Sequence, residues 1–88
     1  MKIAIIGHGK MGKLIEKIAI ERGADIFMII NDSNWIFSDI EGADVAIEFS
    51  SPESAVENIH KSLKAGVPVV VGTTGWYDKL DEVKQLVI

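Results

Sequence analysis

Three glycines separated as Gly7-x-Gly9-x-x-Gly12 lie between a short apolar run and an amphipathic one, in the loop Gly7-His8-Gly9-Lys10-Met11-Gly12. That spacing suits a loop built to hold the pyrophosphate of a dinucleotide. Gly7 permits a tight turn, Gly9 admits a phosphate to the backbone without a Cβ in the way, and Gly12 lets helix and strand pack closely. The unpaired N–H groups of the helix's first turn, and its dipole, then face the phosphates. The same loop on the same fold can instead serve coenzyme A or S-adenosylmethionine, so the spacing alone names a fold more firmly than a ligand.

Asp32 stands 20 residues beyond Gly12. A nucleotide-binding unit places a carboxylate at about that distance, at the end of the second strand, to hold the adenosine ribose 2′-hydroxyl. The competing role is turn chemistry, because Asn31-Asp32-Ser33-Asn34 makes a turn with or without a ligand. A carboxylate there repels a 2′-phosphate, and no Arg or Lys is adjacent in sequence to offset it. NADH is therefore the expected cofactor, with NADPH as the alternative.

Gly72-Thr73-Thr74-Gly75 closes the last apolar run. Ligands of open α/β sheets lie beyond the carboxyl ends of the strands, so two hydroxyls and accessible amides there can hold a nicotinamide carboxamide or a substrate carboxylate. The plainer reading is a turn whose hydroxyls cap nearby backbone. Neither histidine has an evident partner for acid–base work. His8 lies in the phosphate loop, as a phosphate neighbour or an exposed loop residue, and His60 reads as a solvated helix residue. Trp35 and Phe37 are expected to pack rather than to flank an adenine ring.

These residues need particular elements to bring them together. Residues 2–6 read as a strand buried on both faces. Residues 10–22 change period: Met11, Leu14, Ile15, Ile18 and Ala19 form one apolar helix face, and Gly23 supplies the stop. Residues 26–30 read as a second buried strand, completing a βαβ unit with a right-handed crossover. Residues 35–43 are too apolar for a free loop and too short for a useful helix, so an irregular crossover packed against the sheet edge is expected. A third strand spans 45–49. Ser50-Ser51-Pro52-Glu53 then reads as a helix start, with a hydroxyl cap and Glu three residues after Ser50. Ala55, Ile59 and Leu63, with Val56, mark its inner face, and Gly66 ends it. A fourth strand covers 68–71, and a last helix is expected from Asp78 through Leu80, Val83 and Leu86.

Strands alternating with helices imply a Rossmann-like, doubly wound α/β fold with a parallel sheet of about four strands. A complete domain of this kind has five or six, so residues 1–88 read as a dinucleotide-binding fragment cut before completion.

Composition narrows the function classes. The 88 residues are 48% apolar and 25% charged, with a net charge of −4 and no block of like charge, which argues against a nucleic-acid surface. There are no cysteines, so disulfides, thiolate catalysis and zinc–thiolate sites are excluded, and no His/carboxylate cluster suggests another metal. The opening apolar run is too short for a signal peptide, and no stretch approaches a membrane span. A soluble, cytoplasmic protein without membrane partners is expected.

Taken together, the motifs resemble one family. Gly72-Thr73-Thr74-Gly75-Trp76 after Val69-Val70-Val71 is similar to the GTTG-aromatic signature of 4-hydroxy-tetrahydrodipicolinate reductases, which act in diaminopimelate and lysine biosynthesis. Gly9-Lys10-Met11-Gly12 resembles the family's phosphate loop, and Glu48-Phe49-Ser50-Ser51-Pro52 its D-F-[ST]-x-P segment. The three occur in family order and cover the whole chain. The resemblance implies that Gly7, His8, Gly9, Lys10, Met11 and Gly12 surround the pyrophosphate and that Asp32 binds ribose. It also implies that Phe49 and Ser50 line the cofactor cleft, with Gly72, Thr73 and Thr74 approaching the nicotinamide and Thr74 near the substrate.

The family reduces a cyclic imine or enamine dicarboxylate by hydride transfer from NAD(P)H. Its catalytic histidine pair, lysine and substrate pocket belong to a C-terminal domain beyond residue 88. The resemblance therefore implies no catalytic residue in this chain, no turnover by it alone, and dicarboxylate binding only together with that second domain. Full-length members are homotetramers, largely through the same domain. The chain departs from the pattern at Glu48, where Asp is usual, and in a short region between strands two and three. Ser33 and Ser51 stand where some members carry basic residues, which again points to NADH.

Two other readings use the same loop. A homoserine or aspartate dehydrogenase relative would share the glycine fingerprint but is not expected to carry Gly-Thr-Thr-Gly-aromatic after strand four. A non-catalytic nucleotide-sensing module would bind coenzyme A or report redox state, and would be told apart by its ligand preference.

Overall fold

The computed structural model describes residues 1–72; Thr73, Thr74, Gly75, Trp76 and the final helix expected from Asp78 lie outside the described residues. Among the described residues four strands form one parallel sheet: β1 (Lys2–Ile6), β2 (Asp25–Ile30), β3 (Val45–Glu48) and β4 (Val69–Val71), in the order β2-β1-β3-β4. The helices are α1 (Lys10–Glu21), between β1 and β2, and α2 (Pro52–Lys64), between β3 and β4. This is the Rossmann-like α/β arrangement that the alternating pattern requires.

β1 is central, and its side chains divide the core in two. Ala4 and Ile6 point into a cluster with Ile30, Trp35, Ile40, Ala46 and Val67. Ile3 and Ile5 point the other way, against Ala19, with Ile15, Ile26 and Ile47 around them. A strand covered on both faces has no polar side to show, which is why residues 3–6 are uninterruptedly apolar.

α1 buries only part of its apolar stripe. Gly12 and Ala19 are buried and Ile15 is half-buried, but Met11, Leu14 and Ile18 are 50%, 49% and 40% exposed. Small residues bring this helix close to β1, which leaves the longer side chains on the outer shoulder. β2 also departs from expectation. As an edge strand it is only partly covered, and Phe27 and Met28 are each 37% exposed.

The region 35–43 holds a single 3-10 turn, Phe37–Ile40. It packs onto the face of the sheet beneath α2 rather than against the edge: Trp35 and Ile40 join the core cluster of Ala4, Ile6 and Ala46. At α2 the cap is Ser51 with Pro52 in the first turn, not Ser50. The helix buries Ala55, Asn58, Ile59 and Ser62, with Leu63 half-buried. Two of its inward positions are thus polar.

Candidate functional site

The carboxyl ends of β1, β2 and β3 open into one cleft of about 470 Å³. The loop after β1 contributes Gly7, His8 and Gly9, the loop after β2 Asn31, Asp32 and Ser33, and the loop after β3 Phe49, Ser50 and Ser51, with Asn58 reaching in from α2. Parallel strands present their carboxyl ends together, so residues far apart in sequence meet there.

Each loop is held by the sheet beneath it. The Gly7 N–H donates to the Ile30 carbonyl at 2.7 Å, and the Phe49 N–H to the Ile6 carbonyl at 2.8 Å. Gly7 has φ +98°, a conformation natural to glycine, and its Cα abuts the Phe49 carbonyl so closely that a Cβ would overlap it. Gly12 lies against the Gly7 carbonyl in the same way, which sets the close approach of α1 to β1. Gly9 differs: a Cβ there would meet nothing within 4 Å. The open space above it, at an α1 first turn with no acidic side chain, leaves N–H groups accessible to an anion. These residues fit a bound pyrophosphate. Lys10 and Met11 are exposed on that turn, outside the cleft wall.

Asp32 is exposed in the cleft rim, and its Oδ1 accepts a 2.9 Å bond from the Asn34 N–H. The turn role is therefore real, and it leaves the carboxylate at the cleft. A cation is distant in sequence but close in space: Lys61 Nζ donates to the carbonyls of Ser33 at 3.1 Å and Trp35 at 2.8 Å, and lies 4.9 Å from the Trp35 ring centroid. Trp35 is 5% exposed and serves the core. Phe37 lies beneath the Lys64 ammonium, 4.8 Å from its ring centroid.

On the other side, Phe49 spans the gap to β4: its ring lies where a Cβ on Gly72 would be. Gly72 itself donates its N–H to the Glu48 carbonyl at 2.8 Å. Ser50 turns its hydroxyl onto the carboxyl of Glu48, which is fully buried. His8, expected to lack a partner, has one: its Nε2 is hydrogen-bonded to Glu16 Oε1 at 2.7 Å, two helical turns along α1. His60 is exposed on α2. Among the described residues no group of three His, Asp or Glu side chains is placed to hold a metal ion, and no helix is long and apolar enough to cross a membrane.

The residues that sequence reasoning missed are Asn58 and Lys61. The available signal was polarity on an inward helix face, since 58 and 62 share the stripe of Ala55 and Ile59. The side-chain partners of Asn58 and the two carbonyls bound by Lys61, however, come from other elements.

The fold and this cleft define a Rossmann-like α/β domain whose glycine loop opens a helix at the carboxyl edge of a parallel sheet. The family model described as dihydrodipicolinate reductase, N-terminus, matches residues 1–87. The chain belongs to that family. It is 41% identical over 88 residues to a 4-hydroxy-tetrahydrodipicolinate reductase of Christiangramia forsetii, covering 98% of this chain and 36% of the relative. Proteins of the same name from Staphylococcus carnosus and Staphylococcus aureus are 38% and 34% identical, covering 93% and 97% of this chain and 37% and 40% of theirs. The chain thus spans well under half the length of these relatives.

Proposed function

We propose that residues 1–88 form the N-terminal cofactor-binding domain of a 4-hydroxy-tetrahydrodipicolinate reductase, and that the cleft holds NADH in preference to NADPH. The observation that carries this reading is the meeting of Gly7, Gly9 and Asp32 in one cleft with Phe49 and Ser50 opposite. In this reading the pyrophosphate lies on the N–H groups of residues 9–12 and the adenosine ribose on Asp32. The nicotinamide extends past Phe49 and Ser50 toward Gly72, Thr73 and Thr74. Held there, the dinucleotide would supply the hydride with which the whole enzyme reduces a cyclic imine or enamine dicarboxylate of diaminopimelate and lysine biosynthesis. The protein's part here is to orient the dinucleotide, while substrate capture and proton supply fall to a C-terminal domain. A homotetrameric cytoplasmic enzyme completes the reading and rests on family resemblance.

NADH preference follows from Asp32, whose carboxylate receives ribose hydroxyls and repels a 2′-phosphate. Lys61 tempers that repulsion only in part, because its ammonium is already engaged by two carbonyls and by Glu57 at 3.2 Å. Calorimetric titration of this chain with NADH, NADPH and coenzyme A tests the proposal. The expected order is NADH, then NADPH, with coenzyme A weakest. Tightest binding of coenzyme A would overturn it.

A further inference from the structure

We propose that Asn58 is a positioning residue of the cleft, whose side-chain amide ties the segment after β2 to the loop after β3 and so holds the two walls in the separation a whole dinucleotide needs. The proposal rests on the reading of the cleft as a dinucleotide site.

β2 and β3 are not neighbours in the sheet, because β1 lies between them. Ladder bonding therefore joins the two walls only through β1, and above Gly7 they diverge around the cleft. Asn58 bridges that divergence. Its Oδ1 accepts from Trp35 Nε1 at 3.1 Å, and its Nδ2 donates to Glu48 Oε2 at 2.9 Å and to Ser50 Oγ at 3.1 Å. Trp35 follows the ribose turn, while Glu48 and Ser50 bracket Phe49. One side chain thus touches both walls.

The direction of the amide is determined chemically. An indole N–H can only donate, so Oδ1 must face Trp35 and the NH2 must face Glu48 and Ser50. Asn58, Trp35 and Glu48 are 5%, 5% and 0% exposed, so water does not readily substitute for a lost partner. Asn58 occupies an inward position of α2 between Ala55 and Ile59, where an apolar side chain would fill the core as well. Filling space therefore does not account for an amide. Lys61, one turn on, reinforces the same link through the carbonyls of Ser33 and Trp35. Asn58 also forms part of the cleft lining, so its displacement is felt directly at the ligand surface.

A test separates positioning from mere stability. AMP occupies the ribose wall and phosphate loop, whereas NADH spans both walls. Affinities for AMP and NADH are measured by calorimetry for the wild-type chain, Asn58→Leu and Trp35→Phe, with circular dichroism confirming the folded fraction. Leu keeps the branched shape of Asn58 with a larger volume and removes both sets of hydrogen bonds, whereas Phe keeps an aromatic ring at position 35 and removes one donor. The expected result is that both variants lose NADH affinity at least about fivefold more than AMP affinity. A simple loss of folded protein would weaken both ligands alike. Equal weakening, or none, overturns the positioning role while leaving the dinucleotide reading intact. Should Asn58→Leu not fold, Trp35→Phe decides the question by the same ratio. If the wild-type chain binds no NADH, the dinucleotide reading fails and this inference with it.

Discussion

The α-carbon of Gly7 rests against the carbonyl oxygen of Phe49, with no room for a side chain between them. The loop after β1 and the loop after β3 are therefore one packed unit, although 42 positions separate these residues in sequence. Phe49 is gripped from the other side as well, its ring lying across Gly72. Glycines at 7 and 72 thus share a partner, and Phe49 links the position of the glycine loop to that of Gly72.

Gly7→Ala should be among the most damaging single changes. The residue sits at φ +98° and an added Cβ collides with backbone, which cannot rotate away. A loss of roughly 2–4 kcal/mol is expected, together with loss of NADH binding. Gly23→Ala is the control: it has φ +83° but no neighbour within 4 Å, so only the strain of about 1 kcal/mol applies. Thermal unfolding of the two variants checks the contrast, and equal losses would contradict it.

Asp32→Asn should alter cofactor choice while sparing the turn. The amide oxygen still accepts from the Asn34 N–H, as Asp32 Oδ1 does at 2.9 Å. The charge proposed to receive ribose hydroxyls and to repel a 2′-phosphate is gone. NADH affinity should fall about tenfold, the loss of one charge-assisted hydrogen bond, and NADPH affinity should fall less or rise. Titration with both cofactors measures the ratio; an unchanged ratio would remove Asp32 from the ribose role.

Lys61→Met should loosen the segment after the turn at Asp32. The variant keeps the apolar stem along Trp35 but loses the bonds to the Ser33 and Trp35 carbonyls. A cost of about 1–2 kcal/mol is expected. The Glu57 pair contributes little, since that carboxylate is 64% exposed. Faster amide hydrogen exchange across residues 33–37, with α1 unaffected, is the diagnostic readout.

Leu14→Gln and Ile5→Ala should differ sharply, although both positions look like core in sequence. Leu14 is 49% exposed and Ile5 is fully buried. The first should change stability by less than about 0.5 kcal/mol, the second by roughly 2–5 kcal/mol. Chemical denaturation of the two variants decides whether the outer shoulder of α1 is free of the core of this chain.

Much of the fold was legible because its signals are local. Four apolar runs, two helical periods and glycines at 23 and 66 mark the elements to within a residue or two. Glycines at 7, 9 and 12 and an acid at 32 have spacings set by the dimensions of one βαβ unit. Three readings failed for a common reason. An apolar stripe says that a helix has an inner side, but not how close the helix will lie; at α1 the small residues Gly12 and Ala19 decided that, leaving Met11, Leu14 and Ile18 outside. The strand 26–30 looked buried because nothing in it reveals which strands will flank it. Ser50 looked like a cap because Ser-Ser-Pro offers two candidates, and the choice depended on Glu48, which drew the Ser50 hydroxyl inward.

By itself, then, the sequence determined the alternation of strand and helix, the glycine loop, the acid after the second strand and the resemblance to one reductase family. Each of these is encoded by neighbours along the chain or by a fixed spacing. Tertiary structure alone decided the strand order, the contact of Gly7 with Phe49, the partner of His8, and the buried links from Asn58 and Lys61 to the cleft walls. These depend on hydrogen-bonding groups that meet only after β1 has come to lie between β2 and β3. A buried amide finds its partners through packing, and no spacing in the chain specifies them in advance.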